Sequence, residues 1–207
     1  MFRIGIVFSL ILLSFTLHSQ DVLLMMNGRE WKGQITSLEG TVITLSTTSK
    51  KGKAKEHQVD KTDIFSYTKA GEQAVVLYAQ DEMIGDIYTP DQMRVFIVGE
   101  QDARNNFHAR PTAIVGFIIC GAAAYYVEGG LMGSIALPIL YSIFQLAPKI
   151  HIREQYMSDT NYKYNDFYAD GFEPVARTKK ILTAMGSGFA GAAAGVIVYV
   201  IINGGFQ

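Results

Sequence analysis

Two long stretches of this chain lack charge, and nothing else limits its fold as much. Between Arg110 and Lys149 the only charged residue is Glu128, and no charge follows Lys180. Apart from Arg3, the remaining charges lie within 21–111 and 149–180. Charged residues make up 18% of the chain and hydrophobic ones 49%, against about 25% charged in an ordinary soluble domain. That balance argues against a disordered chain and against a purely soluble globule. The net charge of −1 argues against a dedicated nucleic-acid binder. A single cysteine, Cys120, leaves no intramolecular disulfide and no thiolate zinc site.

The first residues read as an address. Met1-Phe2-Arg3 gives a positive start, Ile4 to Leu17 is mostly apolar, and Ser19 offers a small residue before a polar chain. This is the layout of a signal peptide over 1–19, with a retained anchor as the alternative. The apolar run is short of the roughly 20 residues that cross a bilayer. An exported domain without a disulfide must be stable through its core alone.

Residues 20–88 read as a small β domain. Val22 to Met26 is a strand signal followed by Asn27-Gly28, a strong hairpin turn. Trp31, Gly33, Ile35 and Ser37 share one parity; Glu39-Gly40 is a second turn; Ile43 and Leu45 share one face of the next strand. Further strands are expected at 56–59, 63–68 and 73–79. Short strands at this spacing predict a compact barrel. The run from Asn27 through Trp31 to Gly33, followed by an apolar strand, resembles the first half of Sm-like and SH3-like small barrels. In Sm-like proteins an acidic residue followed closely by Asn contacts RNA. Glu39 fills the first place here, but Ile43 stands where the Asn belongs, so the resemblance implies the barrel and not the RNA site.

Lys50, Lys51, Lys53 and Lys55 form a basic loop. They are candidate contacts for anionic lipid; the plainer reading is a solvated tip that discourages edge-to-edge aggregation. Thr89-Pro90-Asp91-Gln92 then signals a helix start, and 89–110 is expected to be a linking amphipathic helix. Its apolar face is Met93, Phe96 and Ile97, and Glu100, Asp102, Arg104 and Asn105 are expected in solvent. Arg110-Pro111 marks the break.

The uncharged stretches predict about three transmembrane helices. A helical hairpin is expected within 111–147, its arms at 112–127 and 130–147. A third helix is expected at 181–203. The segment 148–180 reads as a polar loop rich in aromatics (Tyr156, Tyr162, Tyr164, Phe167, Tyr168, Phe172), with tyrosines at headgroup level. Ser187, Gly191 and Gly195 repeat every four residues, as do Gly116, Cys120 and Ala124. Such spacing lets helix backbones approach closely, and it fits oligomerisation and intramolecular packing equally. Arg177, Lys179 and Lys180 precede the last span and are further candidate contacts for lipid phosphate. Export of 21–110 followed by a hairpin would put every basic residue of the mature chain outside, against the positive-inside tendency. A single crossing by 112–147, or retention of 4–17, are the alternatives.

No catalytic constellation emerges. His57, His108 and His151 lie far apart, and there is no nucleophile elbow, phosphate loop or CxxC. No cofactor or metal is expected. The arrangement resembles a group of uncharacterised exported envelope proteins of Bacteroidota. The residues that carry the likeness are the strand–Asn-Gly opening, Gly99-Glu100-Gln101-Asp102-Ala103, and Ala176-Arg177-Thr178-Lys179-Lys180 before a glycine-rich helix. The expectation is therefore an α+β, non-enzymatic inner-membrane protein with a periplasmic SH3/Sm-like barrel. It would act as an interaction or scaffold module with lipid, another copy of itself or an envelope partner, and not with nucleic acid. An accessory subunit of a transport or pore assembly, and a membrane-tethered Sm-like nucleic-acid binder, are the alternatives.

Overall fold

The computed structural model describes residues 20–48, 53–83, 85–126 and 130–203. The signal peptide expected at 1–19, and Lys50 and Lys51, lie outside the described residues. The fold is α+β, and the chain divides into two compact units, Met1–Pro90 and Asp91–Gln207.

Among the described residues the first unit forms a six-stranded antiparallel sheet in the order β4-β3-β2-β1-β5-β6. The strands are β1 Asp21–Met25, β2 Glu30–Ser37, β3 Val42–Thr48, β4 Ala54–Asp60, β5 Ile64–Thr68 and β6 Val75–Val76. At the first turn only Gly28 adopts positive φ (71°), while Asn27 stays in the ordinary region and its Oδ1 accepts from the Arg29 N–H. Side chains of one parity make the core. Leu23, Ile43 and Leu45 are fully buried, with Met25, Val59 and Ile64 beside them. Trp31 and Ile35, half-buried, pack onto this cluster. Gly33 is required by closeness, since a Cβ there would strike the Ser46 carbonyl. The register shifts between Ile35 and Ser37 and again between Leu24 and Met25. Both irregularities increase local twist.

The link from β4 to β5 is a single 3-10 turn, Lys61–Asp63, capped by the Asp60 carboxylate. Four peptide links reach at most about 14 Å. Four strand spacings in a flat sheet would need about 19 Å. A flat sheet in this order therefore cannot be joined by so short a turn, and the sheet curls.

Among the described residues four α-helices follow the sheet: α1 Pro90–Asn106, α2 Arg110–Tyr126, α3 Gly130–Phe144 and α4 Asp166–Asn203. Here the structure corrects the expected loop at 148–180. Two short 3-10 turns, Glu154–Tyr156 and Thr160–Tyr164, precede α4, which starts at Asp166 and runs unbroken for 38 residues. Pro174 lies inside it. The Pro174 carbonyl accepts from the Thr178 hydroxyl. The aromatics of this region are not a headgroup belt. Tyr168 and Phe172 are buried and, with Phe107, Ala103, Ile150 and Ala176, form the core under α1. Tyr164 alone of the expected belt stands well out, 88% exposed.

Among the described residues one helix, α4, is long and apolar enough to cross a membrane. α1 and α2 pass the same test only together, as a pair bent by 50°. α2 ends at Tyr126 and α3 at Phe144, each with fewer residues than α4.

Candidate functional site

The residues singled out for helix packing fall along one seam between α2 and α4. A Cβ on Gly191 would strike the Phe117 carbonyl, and one on Gly195 the Gly121 carbonyl. Gly116 faces the Tyr141 ring of α3 and Ser187 Oγ of α4. Ala124 is buried with Cys120 and Ala192, and Tyr141 and Val196 pack against them. Ser187 spends its hydroxyl on the Ala184 carbonyl (3.1 Å). The contact order 116 to 187, 117 to 191 and 121 to 195 makes α2 and α4 parallel. Gly188 against Pro138, and the Tyr141 hydroxyl donating to the Thr112 carbonyl (2.8 Å), make α3 antiparallel to both. Small residues bring the backbones into direct contact, so dispersion and Cα–H···O contacts replace side-chain interdigitation. Gly186 is the exception on α4: nothing lies within 4 Å of where its Cβ would be.

Around this seam the surface is apolar. Ile118, Ile119, Ile143, Leu182, Ile197 and Ile201 are each more than half exposed. Phe117, Tyr125, Ala194 and Val198 border a shallow groove of about 260 Å³ between α2 and α4.

The basic residues separate. Lys53 and Lys55 are exposed in the first unit. Arg177 is partly exposed and sits 3.6 Å from Glu173, one turn before it on the same helix. Lys180 is half-buried. Lys179 corrects its expected role as a lipid contact: its ammonium donates to the carbonyls of Ala103 (3.3 Å), Arg104 (2.9 Å) and Phe107 (2.6 Å) at the end of α1. A helix end leaves such carbonyls without partners. Pro111 has no N–H to offer Phe107 across the break. Lys179 supplies the missing donor, and burial, then the Arg104 charge, lowers its pKa.

Sequence reasoning also placed Asp102 in solvent, and it is buried at 5% exposure. Its Oδ2 accepts from the Tyr168 hydroxyl (2.8 Å) and from the Ser158 N–H (2.8 Å) and hydroxyl (3.0 Å). Its Oδ1 accepts from Asn106 (3.3 Å), whose amide also donates to the Tyr156 carbonyl. Burial, then the Asp102 carboxylate, pushes the Tyr168 phenol far above its usual range. Glu100 on the same helix is half-buried, and burial raises its carboxyl although Arg104 pulls the other way. A signal for this cluster was present in Gly99 and Ala103. Four residues apart, they mark the close-packed face, and Asp102 and Asn106 adjoin it. Among the described residues no group of three His, Cys, Asp or Glu side chains could hold a metal ion.

No protein-family model, curated protein or solved structure matches the chain.

Proposed function

We propose that this chain is a non-enzymatic integral membrane protein of the cell envelope, an interaction or scaffold module. α2, α3 and the apolar part of α4 lie in the inner membrane, and the β unit stands in the periplasm as a small barrel of the SH3/Sm-like kind. The observation that carries the reading is the pairing of two features in one bundle. Its inside is packed backbone to backbone by glycine, and its outside is a belt of exposed Ile, Leu, Phe and Val. In water that belt would far exceed the apolar patches monomers tolerate. In lipid it is the ordinary outer surface, and close small-residue packing is what holds helices together there. α2 and α3, with 17 and 15 residues, rise about 25 and 22 Å. They span a bilayer that is locally thin, or one drawn down to meet them.

The short β4–β5 turn, which curls the sheet, and the glycine and bulge in β2 support the barrel reading. The signal-peptide layout of the sequence over 1–19 and the resemblance to exported envelope proteins of Bacteroidota support the compartment. Association with a second copy uses the small residues the seam leaves over. Gly186, Ala190 and Ala193 are exposed on one side of α4, at the spacing that admits another helix. The test is extraction of membranes from cells expressing the full chain. Retention in the pellet after alkaline carbonate, with release by detergent, is expected. Release by carbonate would end the proposal.

A further inference from the structure

Basic residues from three separate stretches of the sequence, Arg110, Lys149 and the pair Arg177 and Lys180, lie toward one end of the helical unit. The plane through Gly116, Ser187 and Tyr141, where α2, α4 and α3 meet, serves as the reference. Arg110 precedes Gly116 by six helical residues, a rise of about 9 Å, and Lys180 precedes Ser187 by seven, about 10 Å in the same direction. α3 runs the opposite way and leaves the bundle after Phe144, so the chain returns to that end at Lys149. Arg177 lies a turn beyond Lys180 on α4. Arg110 and Lys149 are exposed, Arg177 and Lys180 partly so. Lys179 is excluded because its ammonium is held by α1.

The hydrogen bonds of Asp102 fix which side this is. They tie α1 to Ser158 and Tyr168, so α1 and the segment 156–172 stand together beyond the same end of the bundle. At the other end Tyr125 and Tyr199 meet, ring centroids 6.1 Å apart, with Tyr126 beside them. Lys180 to Tyr199 is a rise of about 29 Å, close to the roughly 30 Å of bilayer hydrocarbon. A basic level and an aromatic level one hydrocarbon thickness apart fit the two interfaces of a membrane.

We infer that Arg110, Lys149, Arg177 and Lys180 form one basic collar in the headgroup layer of a single leaflet, binding the phosphate of anionic phospholipid. The inference rests on the membrane reading above. It makes α2–α3 a full hairpin and puts α1 and 148–180 on the same side. Glu173 shares Arg177 at 3.6 Å, which weakens that contact and leaves the other three cations to dominate. Each cation at an anionic surface strengthens binding several-fold.

The test uses the full chain reconstituted in vesicles of phosphatidylcholine with a minority of phosphatidylglycerol. The phosphatidylglycerol retained per protein is measured by mass spectrometry after mild detergent release. Enrichment over the bulk vesicle is expected. In the combined variant Arg110→Gln, Lys149→Gln, Arg177→Gln, Lys180→Gln it should fall about fivefold or more. The pairs Arg110→Gln with Lys149→Gln, and Arg177→Gln with Lys180→Gln, should give intermediate losses, which keeps the test open if the fourfold variant folds poorly. Lys53→Gln with Lys55→Gln should leave enrichment unchanged, and inorganic phosphate should not compete. Unchanged enrichment in all the collar variants, equal loss in the Lys53/Lys55 variant, or competition by inorganic phosphate would overturn the collar. Carbonate extraction of the same preparations separates the two ideas: a protein that stays in the membrane without lipid preference sinks only the collar, and one that washes off sinks the membrane reading itself.

Discussion

Helix α4 packs by two chemistries along one axis. Before Lys180 its partner is α1: a Cβ on Gly171 would strike the Phe96 carbonyl, and one on Gly99 of α1 the Tyr168 carbonyl. After Lys180 the partners are α2 and α3, and Gly191 and Gly195 make the same kind of contact with α2. The backbone device is shared, and everything around it differs. In the first half aromatic rings close the contact, Tyr168 stacked on Tyr162 at 5.5 Å and on Phe172 at 5.8 Å. A buried carboxylate and an ammonium absorb the loose donors and acceptors. In the second half no charged residue is present, and the outer surface is aliphatic. The glycine contact is therefore the same beside polar and beside aliphatic neighbours. What distinguishes the halves is how polar groups are satisfied beside it: by a side-chain network in one, and by helix backbone and a few hydroxyls in the other.

The comparison breaks first at the glycines. Gly171→Val and Gly191→Val each place atoms on a carbonyl that cannot move without displacing its helix. Each should cost about 3 kcal/mol or more, read as a drop in melting temperature in detergent. Equal costs would support a common device; a harmless Gly191→Val would show that the second half is loosely packed. Next is Asp102→Ala, which affects the first half only. It strips partners from the buried Tyr168 hydroxyl and the Ser158 N–H and should cost about 3 kcal/mol. Protease should then cut within 150–165 at concentrations that leave the parent chain intact.

Alkaline pH gives a smaller and graded effect. Tyr168 keeps its proton in the folded chain above its ordinary value near 10, while the unfolded chain loses it there. The folded state then binds more protons, so stability falls with rising pH. The contribution is complete below about pH 10 and is lost as pH climbs toward the raised native value. Tyr168→Phe should flatten that slope in alkaline denaturant titrations, and an unchanged slope would remove Tyr168 from the account. The smallest expected effect is Gly186→Ala. With open space at the Cβ, it should be neutral or stabilise by up to about 1 kcal/mol through helix propensity. A clear loss would mean that a second helix already occupies that position.

The β core was legible because period-two alternation maps directly to burial. Ile43 and Leu45 share a face in sequence and are both buried, and Trp31 and Ile35 keep their parity in β2. The curl was harder to read, since it depends on a three-residue link between strands that lie apart in the sheet. Small-residue spacing located Gly116, Ser187, Gly191 and Gly195 but left their partner open, because a backbone in the same chain and one in another copy demand the same residues. The start of α4 was hidden by Pro174 and Gly171, both of which lower helix propensity locally. Phe172 and Ala176 packing on α1 overrides that loss. Asp102 was misplaced because a carboxylate is usually exposed, and the donors to its Oδ2, Ser158 and Tyr168, lie more than fifty residues away in sequence.

The unbroken run of α4 has a mechanical consequence. α1 and α2 rest on the same rod, and the joint between them, residues 107–109, is pinned by the Lys179 ammonium. Phe172 and Ala176 splint the proline turn against α1. A push on α1 is therefore carried along the rod rather than absorbed at the joint, toward the tyrosines at its far end.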